Sequence, residues 1–176
     1  MEKIGLFGGT FDPVHNGHLK IAELFVEKCE LDICYFIPAK NSPFKIAKPK
    51  MFSDEERCQK IEQIIFENSK LQLCKYELES SEVSYTVDTV EYFKNKYFGS
   101  ELFLLVGTDQ AINFHLWKEF EKILEKVCVV IATRPEIITE NERKQIEKNF
   151  YCKKYLWLKN PIIDITSTKI RDFLTT

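Results

Sequence analysis

Two of the three histidines in the chain, His15 and His18, lie three residues apart near its beginning. At this spacing two imidazole rings can face the same way at the start of a helix and donate hydrogen bonds to phosphate oxygens. A pair of capping or structural histidines has the same spacing, and the residue types alone leave both interpretations open. His15 and His18 are therefore our first candidates for catalytic residues that bind a phosphate and stabilise charge on it.

Residues 8–13, which precede the histidines, read Gly-Gly-Thr-Phe-Asp-Pro. Adjacent glycines allow a ligand to approach the backbone closely, and the N–H groups at the start of a following helix attract anions. The segment matches neither G-x-G-x-x-G nor G-x-x-x-x-G-K-[ST], so it disfavours a dinucleotide-binding dehydrogenase and a P-loop hydrolase. It predicts a phosphate site of another kind, built on the backbone of Gly8, Gly9, Thr10 and Phe11.

A second candidate anion site lies near the other end of the chain, where residues 166–171 read Thr-Ser-Thr-Lys-Ile-Arg. These hydroxyl groups can simply cap a short helix. Together with helix-start N–H groups, however, Ser167 and Thr168 can also hold an anion, and Arg171 follows one turn later. The planar guanidinium of Arg171 suits β- and γ-phosphates, although a solvated helix arginine is the alternative interpretation.

Short apolar runs alternate with segments of helical periodicity along the chain. Strands are predicted over residues 3–7, 32–37, 71–78, 101–106, 127–132 and 155–158. Helices are predicted over 18–29, 87–97, 111–125 and 166–174, and two more begin after Ser53 and Thr139. Glu56 and Glu142 stand three residues after these two caps, which is the capping-box spacing, and Thr86 is the expected cap of the helix over 87–97.

Such alternation predicts an α/β fold, because parallel strands need crossover connections and helices supply them. We expect one domain over residues 1–176, with a doubly wound, mostly parallel sheet and helices on both faces. Ligands of such sheets bind beyond the carboxyl ends of the strands, at a topological switch point. The residues that follow each strand are therefore the ones expected to form the site.

The first and last motifs together resemble those of the nucleotidyltransferase superfamily that carries H-x-G-H. The first motif is His15-Asn16-Gly17-His18 after residues 8–13, and the [ST]-x-x-R motif lies within residues 166–171. The resemblance covers nearly the whole chain and implies a Rossmann-like fold. It also implies that the two ends of the chain meet around the phosphates of ATP.

Within this superfamily the chain most resembles the nicotinate mononucleotide adenylyltransferases. The similar segments are residues 85–89, which contain T-x-D-T, residues 106–109 with a tryptophan eight residues on, and residues 133–135. The resemblance implies that Thr86 binds the nicotinate end of the acceptor and that Trp117 stacks on the pyridine ring. It implies that Asp109, next to Gly107 on the ATP side, contacts a ribose, and that Arg134 lies near the acceptor. Without the resemblance, Thr86 would be a cap and Trp117 a core aromatic residue.

The loop after the second strand departs from the family pattern. The family often has P-P-H-K there, whereas residues 42–45 read Ser-Pro-Phe-Lys. Lys45 is retained and can neutralise an acceptor phosphate, while Phe44 replaces the histidine.

Composition excludes several classes of protein. The 25 basic and 27 acidic residues give a net charge of −2, which disfavours bulk nucleic-acid binding. No apolar run approaches the length of a membrane span, and the first residues have no signal-peptide pattern. The six cysteines lack metal-ligand spacing, so we expect small core residues in a reducing cytoplasm rather than a zinc site or disulfides.

The expected reaction is the transfer of AMP from ATP to nicotinate mononucleotide, giving nicotinate adenine dinucleotide and pyrophosphate in NAD biosynthesis. We expect Mg²⁺ to enter with ATP, and we expect no metal site made by the protein, no nucleic acid and no membrane partner. The sequence does not predict the oligomeric state. An adenylyltransferase acting on nicotinamide mononucleotide or phosphopantetheine remains the alternative, and a non-catalytic nucleotide sensor is a rival of another class.

Overall fold

The computed structural model describes residues 1–41, 50–80, 83–133, 138–151 and 153–159. Its strands are β1 (Lys3–Gly9), β2 (Ile33–Pro38), β3 (Leu71–Leu73), β4 (Glu101–Gly107), β5 (Val127–Thr133) and β6 (Tyr155–Lys159). They form one sheet in the order β3-β2-β1-β4-β5-β6, and every neighbouring pair is parallel. The predicted α/β class with a parallel sheet is thereby confirmed.

Helices connect these strands. They are α1 (Asn16–Cys29), α2 (Asp54–Ile65), α3 (Tyr76–Ser80), α4 (Thr86–Lys96), α5 (Thr108–Ile112), α6 (Phe120–Lys126) and α7 (Glu140–Asn149), with a 3₁₀ turn at Phe114–Leu116. Both predicted capping boxes are present, at Ser53 with Glu56 before α2 and at Thr139 with Glu142 before α7. The terminal helix predicted over residues 166–174 lies outside the described residues.

Two predicted elements are wrong in their extent. The strand predicted over 71–78 ends at Leu73, because Tyr76 turns into α3 and stacks on Tyr92 of α4 with ring centroids 4.1 Å apart. The single helix predicted over 111–125 is three pieces, because the backbone is extended at Trp117 and left-handed at Glu119 (φ 50°). A residue next to each break lines the cavity described below: Glu77 after the first and Trp117 at the second.

The sheet separates two apolar clusters. Along β4, Leu102, Leu104 and Val106 belong to the cluster under α4–α7, while Phe103 and Leu105 belong to the cluster under α1 and α2. Strict alternation of this kind is expected when helices cover both faces of a parallel sheet. The predicted coverage of both faces is therefore confirmed.

Five of the six cysteines lie in the described residues and all five are buried as free thiols. Burial raises the pKa of each thiol above its ordinary value of 9.0, to about 11 for Cys29, and in the same direction for Cys34, Cys58, Cys74 and Cys128. These thiols are therefore small core side chains, as predicted. Cys152 lies outside the described residues.

The chain order reverses between β1 and β4, the two central strands. β1 is followed across the sheet by β2 and β3 on one side, and β4 by β5 and β6 on the other. The connections at the carboxyl ends of β1 and β4 therefore leave in opposite directions, and a crevice opens between them. The loop after β1 and the start of α5 border this crevice.

Candidate active site

A cavity of about 370 Å³ lies at this switch point. Its wall combines residues from the end of β1, the start of α4 and the segment before α6, among them Gly8, Gly9, Thr10, Thr86, Trp117 and Lys118. Residues predicted for the ATP side and residues predicted for the acceptor side thus share one cavity. This is the arrangement expected of a site that joins two substrates.

His15 and His18 form a compact pair at the start of α1. His15 is the N-cap residue, and its Nδ1 accepts a hydrogen bond from the Gly17 N–H at 3.1 Å. The Nδ1 of His18 accepts in turn from the His15 N–H at 3.2 Å, and the two ring centroids are 3.8 Å apart. The histidines are therefore capping residues, which was one of the two interpretations.

The capping hydrogen bonds use the Nδ1 atom of each ring, whereas a phosphate contact would use Nε2. A neutral imidazole whose Nδ1 accepts a hydrogen bond carries its proton on Nε2. Each cap thus fixes the tautomer in which Nε2 is the donor. The backbone orients two Nε2–H groups beside the N-terminus of a 14-residue helix, where an anion is favoured.

Phe11 packs against the histidine pair at His18. Its ring is buried and lies edge-on to His18, with centroids 5.1 Å apart. The Phe11 backbone is left-handed (φ 48°), a conformation that is uncommon for a residue with a side chain. A Cβ atom on Gly9 would lie only 3.0 Å from the Phe11 ring, so the second glycine makes room for this packing.

Arg57 of α2 holds the loop after β1 in place and was not predicted. The side chain is fully buried and donates to the Thr10 carbonyl at 2.5 Å, the Ala39 carbonyl at 2.9 Å and Asp54 Oδ1 at 2.6 Å. It therefore ties the loop after β1 to the end of β2. The sequence signal was present, since Arg57 lies four and eight residues before the buried Ile61 and Ile65 on one helix face.

Asp12 also holds the loop after β1 in place. Its carboxylate is buried and accepts the backbone N–H groups of Met51 and Phe52 at 2.9 and 3.0 Å. The loop after β1 is therefore held by side-chain hydrogen bonds to two distant parts of the chain. We expect this preorganisation to keep its backbone N–H groups in place for a ligand.

Thr86 lines the cavity as the first residue of α4, so its predicted role as the cap of that helix is wrong. The N-cap position belongs to Tyr85, and no side chain in the described residues caps this helix. Uncapped N–H groups at a helix start carry partial positive charge. The start of α4 therefore favours an anionic group in the cavity.

Trp117 lines the same wall, with one face of its indole stacked on the buried Phe114 at 4.6 Å and 25°. This stacking fixes the plane of the indole at the cavity wall. Trp117 therefore packs on the core, as its alternative interpretation expected, and it also lines the cavity, while its stacking on a pyridine ring stays a prediction. Lys118, next in the chain, lines the cavity too and was not predicted.

Glu77 contributes a buried carboxyl to the lining. Thr89, the last residue of the T-x-D-T segment, donates its hydroxyl to Glu77 Oε1 at 2.6 Å. Burial raises the pKa of Glu77 above its ordinary value of 4.5, although hydrogen bonds from Thr89 and Ser84 act against this. No sequence pattern marks Glu77 as a site residue, since it lies in the wrongly predicted part of the third strand.

Gly107 and Asp109 lie at the end of β4 but are not among the residues that line the cavity. Asp109 is exposed on α5, and a Cβ atom on Gly107 would lie 2.7 Å from its Oδ1. The absence of a side chain at position 107 thus allows the carboxylate to fold back over the strand end. Their predicted contacts with ATP and ribose stay predictions.

Five other predicted site residues lie outside the described residues: Lys45, Arg134, Ser167, Thr168 and Arg171. Among the residues that are described, no group of three or more His, Cys, Asp or Glu side chains is arranged to hold a metal ion. In the same part of the chain, no helix has the length and apolar character needed to cross a membrane.

Comparison with known proteins gives a consistent result. Residues 6–173 match the family described as Cytidylyltransferase-like. A probable nicotinate-nucleotide adenylyltransferase of Clostridium novyi is 38% identical, over 98% of this chain and 86% of that protein. The protein with the same description in Dictyoglomus turgidum is 35% identical over 97% of this chain and 82% of its own length.

Solved structures show the same fold. The nicotinic acid mononucleotide adenylyltransferase of Plasmodium falciparum, complexed with NaAD, has a TM-score of 0.78 at 21% identity and is matched over 99% of this chain and 84% of its own. A putative nicotinate-nucleotide adenylyltransferase from Vibrio parahaemolyticus has a TM-score of 0.68 at 19% identity. The chain therefore belongs to the Cytidylyltransferase-like family and, within it, groups with the nicotinate-nucleotide adenylyltransferases.

Proposed function

We propose that the chain transfers AMP from ATP to nicotinate mononucleotide, releasing pyrophosphate and nicotinate adenine dinucleotide in NAD biosynthesis. The observation that carries this proposal is the single cavity that joins the end of β1, with Gly8 and Thr10, to Thr86 and Trp117. ATP binds on the β1 side, near the two histidines, and the pyridine ring lies against Trp117. The names of the relatives support the same acceptor.

The proposed chemistry is an in-line displacement at the α-phosphorus of ATP. The acceptor phosphate is already ionised at neutral pH, so no general base is needed, and no covalent intermediate is required. Catalysis then depends on positioning and on stabilisation of charge. The Nε2 atoms of His15 and His18 donate to the α-phosphate and the leaving group, and the backbone of residues 8–11 holds the triphosphate.

The remaining groups are proposed on the motifs. Ser167, Thr168 and Arg171 hold the β- and γ-phosphates, Lys45 and Arg134 contact the acceptor, and Asp109 beside Gly107 contacts a ribose. Mg²⁺ arrives as the Mg-ATP complex and is held mainly by phosphate oxygens and water, where it neutralises charge on the leaving group. We propose that these residues form one nucleotidyltransferase domain over 1–176, acting on small molecules in the cytoplasm.

An acceptor with an anionic ring substituent fits the cavity better than a neutral one. The uncapped start of α4 borders the cavity and attracts negative charge. This favours the carboxylate of nicotinate over the amide of nicotinamide, in agreement with the proposed acceptor.

The direct test is pyrophosphate release from Mg-ATP with three acceptors in parallel: nicotinate mononucleotide, nicotinamide mononucleotide and phosphopantetheine. We expect the highest kcat/KM with nicotinate mononucleotide and a dinucleotide product of matching mass. Faster turnover of phosphopantetheine, or no turnover with any pyridine mononucleotide, would contradict the proposed function.

A further inference from the structure

Lys118 is a cation on the wall of the acceptor side of the cavity. Two acidic or basic side chains belong to the described lining, Lys118 and Glu77. The Lys118 ammonium lies 4.3 Å above the centre of the Tyr85 ring, a geometry in which the negative ring face attracts a cation. Tyr85 is the residue that precedes α4, so the ammonium is held beside the helix start.

The ammonium of Lys118 differs from those of the other lysines nearby. Lys122 is paired with Glu119, and Lys126 with Glu91. Within the residues that the structure describes, the ion pairs include none that engages Lys118. In this part of the chain the ammonium lies over Tyr85 without a close ion pair, and its nearest acidic neighbour in the chain, Glu119, interacts with it only at longer range.

Glu77, the other charged residue of the described lining, is buried, whereas Lys118 is exposed. The Glu77 carboxyl accepts a hydrogen bond from the Thr89 hydroxyl, and burial raises the pKa of this carboxyl above its ordinary value of 4.5. The uncapped start of α4 adds partial positive charge of the same sign as Lys118. Lys118 and the start of α4 therefore both contribute positive charge to the wall between Tyr85 and Trp117.

Because Lys118 follows Trp117 directly in the chain, its ammonium lies near any ligand ring that stacks on Trp117. An aromatic ring stacked on the indole face opposite Phe114 would bring its own substituents, rather than its distant phosphate, to the adjoining wall. Resting on the proposed function, we infer that Lys118 is a specificity residue that pairs with a carboxylate on the acceptor's pyridine ring and so selects it over the neutral amide.

The test compares nicotinate mononucleotide with nicotinamide mononucleotide, at saturating Mg-ATP, in wild-type protein and in Lys118→Gln. We expect the ratio of the two kcat/KM values to fall about fivefold to tenfold in the variant, as for loss of one exposed charge-assisted hydrogen bond. The change should come from a higher KM for nicotinate mononucleotide, with kcat and the KM for ATP unchanged. Lys118→Arg keeps the charge and should keep the selectivity.

Lys122→Gln is the matched control, because it removes an equal charge four residues further along the chain, on α6, at a position that does not line the cavity. It should leave the selectivity ratio unchanged. Equal losses for both acceptors in Lys118→Gln would indicate a contact with the shared phosphate and overturn the inference, as would an unchanged ratio. Wild-type protein that turns over neither acceptor would instead refute the proposed function itself.

Discussion

Replacement of Arg57 by methionine tests whether its buried guanidinium holds the loop after β1 in place. Methionine keeps most of the apolar stem, so the main loss is of hydrogen bonds to two carbonyls. The Ala39 carbonyl is buried, and leaving it without a donor costs about 1–3 kcal/mol, whereas the part-buried Thr10 carbonyl recovers some hydration and costs about 1 kcal/mol. We therefore expect unfolding free energy to fall by about 2–4 kcal/mol.

Asp54 adds little to this sum, since its side chain is 38% exposed and keeps Lys50 at 2.9 Å. Urea unfolding followed by circular dichroism measures the loss. The KM for ATP measures the second consequence: a loosened loop after β1 should raise it about tenfold, while the KM for the acceptor changes less.

The matched control is Lys60→Met, which removes an equal charge from the same helix. Lys60 lies 4.5 Å above the Phe52 ring, so its loss should cost about 0.5–1 kcal/mol and leave the KM for ATP unchanged. A loss below about 1 kcal/mol in Arg57→Met, or equal effects of the two substitutions, would refute the role assigned to the buried guanidinium.

Three further substitutions test the site. His18→Asn keeps a capping acceptor near the Nδ1 position but removes the Nε2 donor, so pyrophosphate release should fall about 10²–10³-fold with Tm nearly unchanged; wild-type turnover would contradict a phosphate contact. Trp117→Ala should raise the KM for the acceptor far more than that for ATP, and Trp117→Phe less so, whereas equal effects on both substrates would remove the stacking role. For Glu77→Gln, urea unfolding at several pH values is decisive. Because burial raises the pKa of Glu77 in the folded protein above 4.5, its contribution to stability is complete below pH 4.5 and is lost as pH rises through the folded pKa. The stability of wild type relative to the variant should therefore decrease from acidic to neutral pH, and a constant difference would rule the effect out.

Local patterns were sufficient to predict most of the fold. Ser53 and Glu56 predict the start of α2 because both partners of this capping box lie within four consecutive residues of the sequence. The uninterrupted apolar run of β4 likewise predicts, from neighbouring residues alone, a strand buried on both faces. The failures at residues 71–78 and 111–125 have the opposite cause, since contacts with distant residues, such as Tyr76 on Tyr92, end one element and start another.

The same distinction applies to the site. Gly8, Thr10, Thr86 and Trp117 stand in recognisable motifs, and the structure brings them to one cavity. The roles of Arg57, Glu77 and Lys118 depend on carbonyls, hydroxyls and rings that are remote in sequence, so no spacing reveals their partners. Only the position of Arg57 on an otherwise apolar helix face hinted that a buried charge would find a function.

The buried cysteines have a practical consequence. With every described thiol shielded and poorly ionised, the folded protein should react slowly with alkylating reagents, and each modification should report a transient opening. Cys74 belongs to the cluster under α4–α7, whereas Cys29, Cys34 and Cys128 belong to the cluster under α1 and α2. Site-resolved labelling with mass spectrometry therefore distinguishes which layer opens first, using reporters that the chain already contains.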